Sequence, residues 1–204
     1  MSRSSRSAIS VVPANEASWE DLQAIFGTRG DPARCQCQWF KFRDMEWRSV
    51  PAGERAHRLR EQTDCGHPHS DTTTGIVAYL DGEPVGWCAI EPRTAYPRLL
   101  KMRVPWSGRD EDRADETVWS VTCFVVRTGY RRSGVSYALA AAAVEFARDR
   151  GARALEGYPM ITSLGEDVTW GELFVGSRSA FAAAGFREVS HPTTRRVVMR
   201  IDFT

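Results

Sequence analysis

The sequence has no strong excess of either charge. Its 204 residues include 27 lysines and arginines against 26 aspartates and glutamates, for a formal net charge of +1. A nucleic-acid-binding domain usually carries a basic stripe or patch. No such block is present, so we expect no nucleic-acid partner. Histidine is scarce, with four in the chain, and no Ser/His/Asp or Cys/His pattern indicates a nucleophilic triad.

Long apolar runs are also missing. A membrane-spanning helix needs about 20 predominantly apolar residues, so we expect no membrane association. The opening segment MSRSSRS has no apolar stretch behind it, which favours a disordered tail over residues 1–8 and not a signal peptide. The five cysteines are an odd number. Without an export signal they predict reduced thiols and a cytoplasmic location.

Strand and helix patterns alternate without a linker, which predicts one α/β domain with a mixed sheet over residues 9–204. Asp81-Gly82 predicts a hairpin turn, and the acidic, turn-rich segment 103–117 predicts a long exposed loop. The predicted strands are residues 9–12, 75–80, 85–90, 118–126, 154–158, 186–189 and 197–201. The predicted helices are 18–26, 51–62, 133–150 and a short one from Ser177 or Ser179 to Gly185.

Residues 121–151 are the most informative segment. A nearly continuous apolar strand ends at Val126, a basic turn containing Arg131, Arg132 and Gly134 follows, and an amphipathic helix starts at once. The first turn of a helix presents free backbone N–H groups and a partial positive charge, which together bind phosphate. The segment therefore predicts a site for a pyrophosphate-bearing cofactor.

This turn resembles the cofactor motif of the GNAT superfamily of acyl-CoA-dependent N-acetyltransferases, Arg/Gln-x-x-Gly-x-Gly/Ala. The motif reads Arg131-Arg132-Ser133-Gly134-Val135-Ser136, with Ser136 where Gly or Ala is usual, and Ala180 to Phe186 looks like the late helix of the family, which ends in Gly-Phe. The resemblance covers roughly residues 75–202. It implies a single domain whose mixed, mostly antiparallel twisted sheet carries helices on both faces.

The resemblance also implies transfer of an acetyl group from acetyl-CoA to a primary amine, by direct attack in a ternary complex. The acceptor would be a small-molecule or peptide amine. The edge of the strand at Phe124, Val125 and Val126 would pair with the pantetheine arm, with an N–H near Val126 polarising the thioester carbonyl. Arg131, Arg132, Ser133, Gly134, Val135 and Ser136 would hold the pyrophosphate.

The attacking amine must be neutral, yet a lysine-like amine with a pKa of ~10.4 is less than about 0.1% neutral at pH 7, so a base or proton wire matters. Glu156 is the most interesting candidate because its strand should diverge beside the thioester. Glu172, in an aromatic segment, is a substrate-binding alternative. Glu91, Tyr158 and Cys123 are further options.

Many members of the superfamily protonate the leaving thiolate with a tyrosine, and that position holds Phe181, for which we expect a packing role. Tyr158 or a water is the alternative donor. Because of Phe181, a non-catalytic acyl-CoA-binding regulatory module remains the second hypothesis. The oligomeric state stays open, a homodimer included.

Cysteine and histidine residues offer a competing interpretation as zinc ligands. The set is Cys35, Cys37, Cys65, His67 and His69, but its spacing differs from that of standard structural zinc sites. We favour buried cysteines beside Trp39 and a polar loop, with no metal. The aromatic residues Trp39, Phe40, Phe42 and Trp47 belong either to the core or to an acceptor pocket.

Overall fold

A computed structural model describes residues 8–43, 45–162 and 170–203. The predicted tail, residues 1–8, lies outside these ranges except for Ala8. The strands are β1 (Ile9–Pro13), β2 (Ile76–Leu80), β3 (Glu83–Pro92), β4 (Val118–Val126), β5 (Ala154–Gly157), β6 (Arg187–Thr193) and β7 (Arg196–Asp202). They form one sheet in the order β1-β2-β3-β4-β5-β7-β6. The β4–β5 pair is parallel and the other pairs are antiparallel, so the predicted mixed sheet is confirmed.

Helices cover both faces of the sheet. They are α1 (Trp19–Phe26), α2 (Gly30–Cys35), α3 (Ala52–Thr63), α4 (Pro97–Lys101), α5 (Val135–Asp149), α6 (Trp170–Leu173) and α7 (Arg178–Ala183). The buried stripe of α5 packs on one face, against β4 residues such as Val121 and Phe124. Helices α1 and α3 pack on the opposite face, against Cys123 and Val125. Within the described ranges every helix is too short or too polar to span a bilayer.

Short sequence signals set most element boundaries. The Ser18 side chain accepts a hydrogen bond from the Asp21 N–H and starts α1, as expected of an N-cap serine. Ser177 caps α7 in the same way. Asp81 and Gly82 both have positive φ, 52° and 85°, which is the backbone of the two-residue hairpin turn that joins β2 to β3.

The strands β4 and β5 separate halfway along β4. Their pairing ends at Val121 opposite Gly157. On the other edge, Ala89 pairs with Cys123 and Ile90 with Val121, so Thr122 is an extra residue that forms a β-bulge. The predicted splay is therefore present, and it leaves the second half of β4 without a strand partner on the β5 side.

Residues 174–177, which we call the strap, lie in this splay. The Phe124 N–H donates to the Phe174 carbonyl at 2.6 Å. Gly176 has a φ of 86°, and a Cβ there would lie 2.8 Å from the rings of both Phe124 and Phe181. A glycine is needed at this position because the backbone is left-handed and the aromatic rings leave no room.

The loop at 103–117 differs from the prediction of a long exposed segment. Trp106 is buried, and its Nε1–H donates to the Leu99 carbonyl at 3.0 Å. The Arg109 side chain is only 6% exposed. The acidic pattern suggested a solvated loop, but a buried carboxylate on β5 draws Arg109 into the protein.

Candidate active site

The predicted pyrophosphate site is the turn from Arg131 to Ser136, which we call the cradle. It lies at the start of α5. Residues 131–134 are exposed, Arg132 and Gly134 adopt left-handed φ values of 64° and 86°, and Gly134 is the N-cap of the helix. Open space surrounds the position of a Gly134 Cβ. Within the described ranges, the N–H groups of Val135 and Ser136 make no hydrogen bond to another backbone group. They are therefore available to an anion at the positive end of the helix.

The edge of β4 offers one free amide beside the splay. Arg127 N–H donates to the Val85 carbonyl at 2.9 Å, so by alternation the N–H groups of Phe124 and Val126 point away from β3. The Phe124 N–H is engaged by the strap. In the described part of the chain the Val126 N–H has no acceptor. Of these two N–H groups, only that of Val126 is therefore free to bind an incoming group.

A cavity of about 680 Å³ lies on the face of the sheet that carries α1 and α3. Cys123 and Val125 place its floor directly on β4, beside the free amide of Val126. Its walls include aromatic residues from three segments, Phe26, Trp39, Trp47 and Phe174. A volume of this size suits a small molecule.

A second cavity of about 320 Å³ is lined by Gly171 and Phe174, which also line the first. Glu172, Arg195 and Arg196 contribute its polar groups. The Glu172 carboxylate pairs with Arg195 at 3.1 Å and is 36% exposed. This carboxylate therefore has access both to solvent and to a cavity that adjoins the larger one.

Glu156 lies instead in a buried arginine cluster, made with Arg93, Arg109 and Arg200. The carboxylate is fully buried, accepts from Arg200 at 2.7 Å and from Arg109 at 3.2 Å, and lies 3.7 Å from Arg93. Burial alone would raise the pKa of Glu156, but the hydrogen bonds from Arg109 and Arg200 and the charges of Arg109 and Arg93 outweigh it, so the pKa is lowered. A carboxylate held charged in this way is a weak proton acceptor.

The position of Glu156 along the sheet leads to the same conclusion. Glu156 pairs with Ser120, six residues before Val126 on β4. At roughly 3.3 Å per residue, the two positions are about 20 Å apart along the strand. The carboxylate therefore lies in the paired part of the sheet and not beside the free amide.

Tyr158 is tied to the same cluster. Its hydroxyl donates to Glu156 at 3.1 Å and lies 3.0 Å from the Ser120 hydroxyl. Burial, together with the Glu156 charge, raises the pKa of Tyr158 well above its ordinary value. Glu91, the remaining carboxylate candidate, is nearly buried and forms an ion pair with Lys41.

Phe181 has the packing role that we predicted. It is fully buried, and its ring centroid lies 5.7 Å from that of Phe124 and 4.9 Å from that of Phe186. Gly157 leaves room for it, because a Cβ there would lie 2.2 Å from the Phe181 ring.

The cysteines do not gather around a metal site. Cys37 accepts a hydrogen bond from Trp87 Nε1 at 3.0 Å, Cys65 donates to Thr63, and His67 pairs with Asp64. Among residues 8–43, 45–162 and 170–203, no three His, Cys, Asp or Glu side chains are placed to hold a metal ion. Cys37 is buried as expected, whereas Cys35 is only half-buried.

Sequence reasoning missed the arginine cluster and the strap. Arg93, Arg109, Glu156 and Arg200 come from four separate segments, so no local pattern links them. Phe174 follows the short helix α6, which the sequence did not predict. The one available signal was the isolated Glu156 in an apolar strand, which requires a buried cation as partner.

Comparison with known proteins places the chain in a family. The sequence profile of the Acetyltransferase (GNAT) family matches residues 39–158, which is more than half of the chain. No curated protein is significantly similar to it. Among solved structures, an N-acetyltransferase from Staphylococcus aureus Mu50 matches with a TM-score of 0.53 and 11% identity, over 96% of this chain and 99% of its own. The structure of a putative phosphinothricin N-acetyltransferase matches with a TM-score of 0.50 and 15% identity, over 97% of this chain and 99% of its own.

The chain belongs to the GNAT acetyltransferase family. The predicted family and the predicted fold are thereby confirmed. With the family comes its co-substrate, acetyl-CoA.

Proposed function

We propose that the protein transfers an acetyl group from acetyl-CoA to a primary amine by direct attack in a ternary complex. The observation that carries the proposal is the exposed cradle at the N-terminus of α5, which follows directly on β4 and its free Val126 amide. The N-terminus of α5 suits the pyrophosphate of acetyl-CoA, and the unpaired edge of β4 suits its acyl end.

The turn, the edge of β4 and the cavity would each have a separate task in the reaction. The turn from Arg131 to Ser136 would hold the pyrophosphate through backbone N–H groups and guanidinium charge. The Val126 N–H would donate to the thioester carbonyl, where negative charge develops as the amine attacks. The acyl thioester supplies the reactive carbon. The cavity over Cys123 and Val125 would hold the amine against it, which lowers the barrier through orientation.

Glu172 is our choice for the group that removes the proton from the amine. Its carboxylate lies beside a cavity that shares Gly171 and Phe174 with the larger one, so one or more waters can link it to the amine. Glu156 and Tyr158 are assigned structural roles, because their hydrogen bonds are made to each other and to buried arginines. Replacing Glu172 with Gln should lower kcat and flatten the acidic limb of its pH profile, where protonation of the carboxylate limits the rate, while acetyl-CoA affinity stays unchanged.

The cradle is tested by Gly134→Glu, with Gly151→Glu as its matched control. Both glycines have left-handed φ, 86° and 74°, both have open space at Cβ, and they lie at opposite ends of α5. A carboxylate at Gly134 should weaken acetyl-CoA binding at least about tenfold, because like charges brought together across an interface cost several kcal/mol. Calorimetry measures the affinity. Equal affinities for the two variants would refute the cradle.

A second candidate function is a non-catalytic acyl-CoA-binding module. Two observations favour it: Phe181 stands where a proton-donating tyrosine is usual, and the strap engages the Phe124 amide. A free-thiol release assay separates the two functions. Acetyl-CoA binding with no thiol release on any amine would favour the binding module. A cytoplasmic location and a homodimer stay predictions from the sequence.

A further inference from the structure

Aromatic side chains form much of the lining of the cavity over β4. Phe26, Trp39, Trp47 and Phe174 line it, and Val125 forms part of its floor. Burial raises the pKa of the Cys35 thiol in this lining to about 11. Hydrogen bonding to Cys37 and burial raise the pKa of Cys123 as well. At neutral pH the inner surface therefore favours an apolar, and especially an aromatic, group.

Among the described residues, the charged groups that line the cavity are mainly positive. Its lining includes Arg34, Arg48 and Arg55 against Asp31. The Asp31 carboxylate is already bound to Arg34 at 2.6 Å. Arg55 donates to the Val50 carbonyl at 2.8 Å and lies over the Trp47 ring, 4.7 Å from its centroid. Within the described ranges no carboxylate pairs with Arg55, so its charge stays uncompensated at the cavity wall.

These features select among amines. A polyamine or an aminoglycoside brings several ammonium groups, which the arginines would repel. An unbranched alkylamine would leave most of a cavity of about 680 Å³ unfilled. An aromatic ring on a short arm can pack against the tryptophans while its single amine reaches toward β4.

We infer that the acceptor is an aromatic primary amine that carries no second positive charge. This inference rests on the proposed function, because it assigns the cavity to the acceptor of the acetyl group. It narrows the acceptor from any primary amine to one chemical class.

Three small amines test separately the preference for an aromatic ring and the exclusion of a second positive charge. Benzylamine and p-xylylenediamine share a ring and differ by a second aminomethyl group, which is positively charged at neutral pH, and propylamine lacks the ring. We expect kcat/KM for benzylamine to exceed both others by at least about tenfold, the discrimination typical of a shaped apolar pocket. Calorimetric titration of each amine into the protein with CoA should give the same order of affinity, and this readout needs no turnover.

A pair of exposed alanines tests whether the cavity is the binding site. Ala52, at the start of α3, lines the cavity, and Ala141 lies on the exposed face of α5. Ala52→Trp should raise KM for benzylamine several-fold without changing acetyl-CoA affinity, and Ala141→Trp should change neither. Arg48→Glu, at another exposed position of the lining, should reduce the preference for benzylamine over p-xylylenediamine.

The inference is overturned if p-xylylenediamine or propylamine equals benzylamine, if no amine binds, or if Ala52→Trp behaves like Ala141→Trp. A failure of the proposed function would look different. Acetyl-CoA would then not bind, or would bind without thiol release, while the order of amine affinities could still follow the inference.

Discussion

Glu156→Gln distinguishes a structural glutamate from a catalytic one. The substitution keeps the size of the side chain and removes its charge. Three guanidinium groups face this carboxylate, those of Arg93, Arg109 and Arg200. If the cluster is structural, the variant should lose stability while the folded fraction keeps its activity.

The expected loss follows from the geometry of the cluster. Removing one partner of a buried ion pair costs about 3–5 kcal/mol, because the remaining charge is left uncompensated. Glu111 still lies 3.3 Å from Arg93 and from Arg109, so we expect the lower end of that range, about 3 kcal/mol. For a domain of this size each kcal/mol lowers Tm by about 2–4 °C, which gives a fall of about 6–12 °C.

The pH dependence gives a second measure of the same carboxylate. Its pKa in the folded protein is below the unfolded value, so Glu156 contributes stability that is fully present above the unfolded pKa of about 4.3. That contribution is lost as the pH falls through the lowered folded pKa. The wild-type protein should therefore lose more stability on acidification below about pH 5 than the Gln variant does.

Thermal unfolding followed by circular dichroism measures Tm, and thiol release at 20 °C measures kcat. Glu145→Gln is the matched control, since Glu145 is exposed and paired with Arg148 on the surface at 2.7 Å; such pairs contribute about 0–1 kcal/mol. An unchanged Tm for Glu156→Gln, combined with a fall in kcat of about 100-fold, would show that Glu156 is the base and that our reading of the cluster is mistaken.

Three further predictions concern Phe181, Gly176 and Cys35. Phe181→Tyr should cost about 1–3 kcal/mol, because its hydroxyl would be buried without a partner; a gain in kcat without a loss of Tm would contradict this. Gly176→Ala should lower Tm more than Gly108→Ala does, since both have left-handed φ, 86° and 72°, but only Gly176 faces aromatic rings at 2.8 Å; equal losses would refute the steric argument. Cys35, with its pKa raised to about 11, should react slowly with iodoacetamide at pH 8 and faster as the pH rises; rapid labelling of the folded protein at pH 8 would count against it.

Local signals were enough for most of the fold. The Asp81-Gly82 hairpin, the Ser18 cap and the apolar run of β4 each act within a few residues, and each lies where the sequence places it. Three short helices, α2, α4 and α6, and the inward course of the 103–117 loop were missed. Helix α4 and the loop depend on tertiary partners: Trp106 bonds to the Leu99 carbonyl and Arg109 to Glu156.

In the candidate site, too, the local features could be predicted from the sequence and the long-range contacts could not. The cradle is encoded in one continuous turn, so its position at the start of α5 could be predicted. The choice among Glu156, Glu172 and Tyr158 could not, because it depends on which arginines reach Glu156 and on the cavities beside Glu172. Residue types suggested the candidates, but burial and distance separate them.

Phe174 joins the two halves of the site. Its carbonyl accepts a hydrogen bond from the Phe124 N–H at the edge of β4, and the same residue lines the cavity over Cys123 and Val125. Any shift of Phe174 that releases the amide must also reshape that cavity. If β4 binds the cofactor and the cavity binds the amine, as we propose, each ligand should change the binding constant of the other by the same factor.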